Sequence, residues 1–155
     1  MKQVKYRFNR KEGRIYVDED GKLFDNGNSI KMIILSASKP IFGKPFPYIP
    51  PQLWVQLTFL DEAGNWCHAV ISNGTTNALH RWILYRQQIE IVQQLELCDV
   101  ITALSFEPSE TIESDREWFD YKFSGIAGKP GLGDRMRSLI QQQSKYPLIE
   151  ALGLI

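Results

Sequence analysis

Residues 53–72 constrain this chain more than any other stretch, because two alternating runs, Leu-Trp-Val-Gln-Leu-Thr-Phe-Leu and Trp-Cys-His-Ala-Val-Ile-Ser, flank a turn that fixes their register. With Glu62, Ala63 and Gly64 as a three-residue loop, Gly64 takes the left-handed position of a type I turn followed by a bulge. Asp61 then faces Asn65, Leu60 faces Trp66 and Phe59 faces Cys67. Alternate side chains of a strand point to opposite faces, so Val55, Leu57, Phe59, Cys67, Ala69 and Ile71 share one. Trp54, Gln56, Thr58, Leu60, Trp66, His68 and Val70 share the other. The first face is a core. The second sets two tryptophans and a histidine among hydrogen-bonding groups, which suits either cover by another element or the binding of a ligand.

A chain of 155 residues with 43% hydrophobic and 23% charged residues is the size and make-up of one globular domain. No run is long enough to cross a bilayer, and the charged start, Met-Lys-Gln-Val-Lys-Tyr-Arg-Phe-Asn-Arg, has no apolar segment behind it, so the expectation is a cytoplasmic protein without a membrane partner. Two widely spaced cysteines, Cys67 and Cys98, read as buried thiols rather than a disulfide framework. The formal net charge of zero argues against a protein that holds nucleic acid mainly by bulk electrostatics. Charge is nonetheless divided. Lys2, Lys5, Arg7, Arg10, Lys11 and Arg14 crowd the start, and Glu107, Glu110, Glu113, Glu117, Asp115 and Asp120 crowd a later stretch. Two solvated surface segments, facing each other or not, or a functional division of charge would each produce that pattern.

Taken in order, Tyr6 to Asn9 reads as a strand and Arg14–Val17 with Lys22–Phe24 as a hairpin turning at Asp20-Gly21. The expected organisation is an N-terminal hairpin extension (1–28), a barrel (29–124), and a glycine loop with a helical tail (125–155), all in one domain. Residues 29–38 are apolar on both faces, as a central or strongly curved strand is. Five prolines bar helix and central strand from residues 39–51, leaving a stiff loop that interleaves Lys39 and Lys44 with Phe42, Phe46 and Tyr48. A helix capped at Thr76 or Asn77 runs to about Leu95, with Leu79, Trp82, Ile83, Ile89 and Val92 inward. Residues 98–106 form a strand with Val100, Thr102, Leu104 and Phe106 on one side, 107–117 an acidic loop, and 118–124 a strand with Phe119, Tyr121 and Phe123 inward. A glycine loop over 125–133 precedes short helices at 134–143 and 148–152.

The fold class expected is mainly β with helices: a β-barrel of five or more antiparallel strands, one helix between the third and fourth, and a helical tail. Its order over about 29–124 resembles the oligonucleotide/oligosaccharide-binding (OB) fold. The Trp-Val-x-Leu-x-Phe-x-Asp-x-x-Gly run from Trp54 to Gly64 is similar to the second strand and turn of its single-stranded-DNA-binding members. That resemblance implies a ligand on Trp54, Gln56, Thr58, Trp66 and His68, helped by the loop from Lys39 to Tyr48. Two features depart from the family: the acidic 107–117 segment stands where a nucleic-acid-contacting loop is expected, and the chain has no acidic tail.

The residues themselves name no reaction. Cys67, His68, His80 and Cys98 lack the paired spacing of a zinc site, and neither a nucleophile elbow nor a Walker ending of the 125–135 glycine run is present. The expectation is therefore a non-enzymatic single-stranded DNA- or RNA-binding protein without a cofactor, of a phage, plasmid or accessory replication/recombination kind. Bases would stack on Trp54, Trp66, Phe42 or Phe46, and Lys31, Lys39, Lys44 and Arg81 would take phosphates. The rivals are a module whose aromatic face packs a protein partner or makes a homo-oligomer, and a carbohydrate-binding barrel.

Overall fold

The computed structural model describes residues 3–74, 78–109 and 118–144. Their strands are β1 (Gln3–Asn9), β2 (Arg14–Glu19), β3 (Lys22–Asp25), β4 (Ser29–Ala37), β5 (Ile41–Gly43), β6 (Gln52–Leu60), β7 (Trp66–Ser72), β8 (Val100–Pro108) and β9 (Phe119–Ala127). The helices are α1 (Leu79–Gln87), continued by a π-helical turn (Gln88–Val92), and α2 (Leu132–Ser144). The protein is mainly β, and its sheet is strongly curled into a half-barrel. The strands lie in the order β3-β2-β1-β7-β6-β4-β8-β9, with β5 paired to the margin of β6. No helix among the described residues is long and apolar enough to cross a membrane.

The β6–β7 hairpin forms in the expected register, Leu60 opposite Trp66 and Phe59 opposite Cys67. Its turn closes through the Asp61 amide on the Asn65 carbonyl (3.2 Å) and the Gly64 amide on the Asp61 carbonyl (3.0 Å). Gly64 has φ +79°, the left-handed backbone that favours glycine. Asp61 also ties the turn to β1. Its carboxylate accepts the Tyr6 hydroxyl at 2.9 Å and the Asn65 amide at 2.9 Å. Burial opposes ionisation of Asp61, but these donors hold it below its ordinary value.

Inside the curl, Ile15, Ile34, Leu57, Phe59, Ile71, Leu104 and Tyr121 are fully buried. The central position of β4 follows from its apolar residues on both faces: it pairs with β8 over Ser29–Met32 and with β6 over Ile33–Ala37. A bulge between Ile34 and Ser36 shifts its register, and bulges bend the strand that carries them. Across the interior, the Tyr85 hydroxyl and Thr102 Oγ1 form a buried hydrogen bond of 2.7 Å, so the one polar side chain on the β8 core face has its partner.

Several boundaries differ from the sequence reading. The proline-rich segment contains β5, which pairs with Gln52–Trp54; a three-residue strand at a sheet margin needs few donors, so flanking prolines do not forbid it. Strand β9 runs on through Gly125 to Ala127 instead of ending before a glycine loop. A Cβ at Gly125 would lie 3.0 Å from Ile89 and 3.2 Å from the Tyr85 hydroxyl, so the missing side chain lets α1 and its π turn sit against the strand. In the helix, Leu79, Trp82 and Ile89 point inward as expected, and Tyr85 joins them. Ile83 and Val92 do not: both are exposed. Beyond Gln88 the chain winds with i→i+5 bonds, Gln93 to Gln88 at 3.1 Å, which rotates Val92 off the inward stripe. Thr76 and Asn77, the acidic segment from Glu110 to Glu117, and the short helix expected over 148–152 lie outside the described residues.

Candidate nucleic-acid interface

The N-terminal hairpin is part of the same sheet. Strand β1 runs parallel to β7, with Gln3 beside Trp66 and Lys5 beside His68. That ladder alters the outer face of the β6–β7 hairpin. Trp66 is 8% exposed, His68 7% and Thr58 7%, so these three side chains are covered within the chain. Thr58 Oγ1 lies 3.4 Å from His68 Nδ1, while His68 Nε2 is buried with no partner among the described residues. Burial, and then the Lys5 ammonium, push His68 below its ordinary value, which favours the neutral imidazole. Trp54 and Gln56 are half-buried, and the Trp54 indole Nε1 likewise has no partner among the described residues.

The segment between β4 and β6 behaves differently. It is anchored at its start by the Ser38 amide on the Gln56 carbonyl (2.9 Å) and the Gln56 amide on Ser38 Oγ (2.9 Å). Phe42, on β5, and Tyr48 are each 73% exposed. Tyr48 stacks on Phe46 with centroids 5.7 Å apart and planes within 10°. The Arg7 guanidinium lies 4.3 Å from the Phe46 centroid and donates to the Tyr48 hydroxyl at 3.0 Å. Arg7 is itself held by Asp18 at 2.9 Å, and that contact keeps the Asp18 carboxyl below its ordinary value. Arg7, Phe46 and Tyr48 therefore form a braced stack ending in an open ring. Lys39 and Lys44, both exposed, flank β5 and make no ion pair among the described residues.

Two expected phosphate ligands stand apart. Lys31 is exposed, but it lies opposite Ala103, six residues from the end of β4, or about 20 Å along an extended strand. Arg81 is committed elsewhere: it forms an ion pair with Glu107 and reaches Asp120 at 3.7 Å. Asp120 also meets Arg10 at 3.4 Å, and Arg10 donates to the Phe119 carbonyl at 3.0 Å. Arg10 is almost fully buried, so this network fastens the end of β1 to β9 and is a closure of the half-barrel. One cation of the basic start thus faces one anion of the acidic stretch, while Arg14 pairs with Asp25 inside the hairpin.

Comparison with protein-family models, with curated proteins and with solved structures finds no match.

What the chain offers for chemistry therefore rests on its own residues. Cys67 and Cys98 are free and buried, and burial raises both thiols away from the reactive thiolate. No cluster of three or more metal-ligating side chains occurs among the described residues. Sequence pattern alone places Phe42, Phe46, Lys39 and Lys44 in the site and Tyr48 at the end of the loop that helps it, and leaves out Arg7. Tyr48 is within reach of that reading as the last ring of the Lys-aromatic interleave; Arg7, 41 residues away, gives no local signal.

Proposed function

We propose that the protein is a non-enzymatic single-stranded nucleic-acid-binding protein whose stacking platform is the segment between β4 and β6. The observation that carries this reading is the braced Arg7–Phe46–Tyr48 stack, open at Tyr48 and set near exposed Phe42, Lys39 and Lys44. A ring held in place before binding loses little freedom when a base settles on it, and base–aromatic stacking contributes about 1–3 kcal/mol per base without regard to sequence. Few lysines suffice for an interface of that kind, which agrees with a net charge of zero.

An OB-like assignment is supported by strand order. Counted from Ser29, β8-β4-β6-β7 is a Greek-key order, the first strand lying between the second and the fourth, and α1 falls between the third and fourth in sequence. On this assignment the platform is the loop between the first two strands. Covered Trp66 and His68 contribute by packing, which leaves half-buried Trp54 as the tryptophan of that face open to the aromatic-face oligomer and the carbohydrate barrel.

A labelled thymidine oligomer of about 20 nucleotides and its duplex counterpart, titrated with protein at low and moderate salt, test the proposal by fluorescence anisotropy. Saturable binding of the single strand, weak salt dependence and weaker binding in Tyr48→Ala are expected. A flat titration with the single strand at low salt would discard the reading.

A further inference from the structure

Arg7 both braces the platform and fixes the surface that the platform adjoins. Strand β1 buries Val4 and Tyr6 in the core, so its alternate residues Lys5, Arg7 and Asn9 point to the outer face. Strand β2 sets Asp18, Tyr16 and Arg14 opposite those three. Because the Phe46–Tyr48 stack rests on Arg7, the outer face of the N-terminal hairpin is continuous with the platform.

The two ends of that face differ in charge. Toward the β1–β2 turn, exposed Glu12 accepts the Asn9 side-chain amide at 3.2 Å and the Tyr16 hydroxyl at 2.6 Å, so a carboxylate stands where a phosphate would have to pass. Toward the start of β1, Lys5 is exposed and forms no ion pair among the described residues. Its neighbour on β2, Asp18, is already held by Arg7 and by the Gly21 amide, each at 2.9 Å. Its neighbour on β7, His68, is kept toward the neutral imidazole by burial. Lys5 is therefore a cation whose charge neither flanking strand cancels. It stands two residues from Arg7 on the same face, about 7 Å away along the strand, and its ammonium rides on a flexible four-carbon stem. We propose that Lys5 holds a backbone phosphate of the single strand whose base stacks on Tyr48, so that the nucleic acid leaves the platform across the start of β1. This placement rests on the stacking role of Tyr48.

Anisotropy titrations of the labelled thymidine oligomer, repeated from about 20 to 200 mM potassium chloride, test it. One phosphate contact on a single strand adds about 0.7 to the slope of log affinity against log salt, so Lys5→Gln should lower the slope by about 0.7 and weaken binding roughly fivefold at low salt. Lys5→Arg, which keeps the charge, should keep the slope. Lys31→Gln, on β4, should also match the parent. Lys5→Thr is the substitute should Lys5→Gln unfold. A parental slope in Lys5→Gln, with Tyr48→Ala still weakening binding, would overturn the Lys5 contact and leave the platform standing. An equal fall in slope for Lys31→Gln would also overturn it, since the slope would then follow overall charge rather than one contact. A parent chain that binds no single strand removes the platform, and Lys5 with it.

Discussion

Two sets of aromatic rings, those on the β6–β7 strands and those on the segment between β4 and β6, have similar chemistry and opposite fates. Trp66 is covered and Trp54 half-covered, whereas Phe42 and Tyr48 stand in solvent. The strand rings sit on a regular outer face that β1 extends through its parallel pairing with β7. The other rings sit on a segment stiffened by proline and braced by Arg7, so they stay ordered without being buried. Exposure with order is what a stacking platform requires, and regular strands gave order by removing exposure.

The strongest break of this comparison is Trp66→Ala. Emptying a covered indole site should lower stability by about 3–5 kcal/mol in a urea melt, and any loss of nucleic-acid binding should follow the unfolded fraction. Tyr48→Ala should do the reverse: weaken single-strand binding by about 1–3 kcal/mol, read by anisotropy, with stability within about 0.5 kcal/mol of the parent. Should Trp66→Ala leave stability intact but abolish binding, the platform is the strand face after all. Arg7→Gln removes the brace and the ion-pair partner of Asp18, which keeps the Gly21 amide; binding should weaken by about 0.5–1 kcal/mol, less than for Tyr48→Ala. The smallest effect should come from His68. Its folded value lies below its unfolded value, so its contribution to stability is complete above about pH 6.5 and fades as the pH falls through the folded value. Thermal melts between pH 7 and 5 should show this decline, and His68→Phe should flatten it, while Tyr48→Ala should leave it unchanged.

The hairpin register was legible because one residue, Gly64, fixed the turn and the alternation fixed the faces. Core positions on β8 and β9 were legible for the same reason of period. Cover on the Trp66 and His68 face stood as one of two open readings and could not be chosen, because a parallel pairing between the start of the chain and β7 leaves no trace in either segment. Val92 was misplaced because the helical period changes at Gln88, and nothing in Gln-Ile-Glu-Ile-Val announces an i→i+5 turn. Arg81 was expected to take a phosphate, yet Glu107 and Asp120, far along the chain, claim it. Local physics is written in local sequence; cover and charge pairing come from segments that meet only in the fold.

That the first strand lies parallel to β7 and fastens to β9 also dictates an order in time. Arg10 and the Phe119 carbonyl it holds are 109 residues apart, and Gln3 waits for Trp66. At a synthesis rate of about 5–20 residues per second, the β1–β2–β3 meander leaves the ribosome several seconds before its neighbour on the other side is available. A sheet of β1–β3 formed in that interval has the edge that β7 later takes unoccupied, a state in which pairing with another nascent chain competes with waiting. Strand β1 is made well before β7 and β9, the two strands that complete its place.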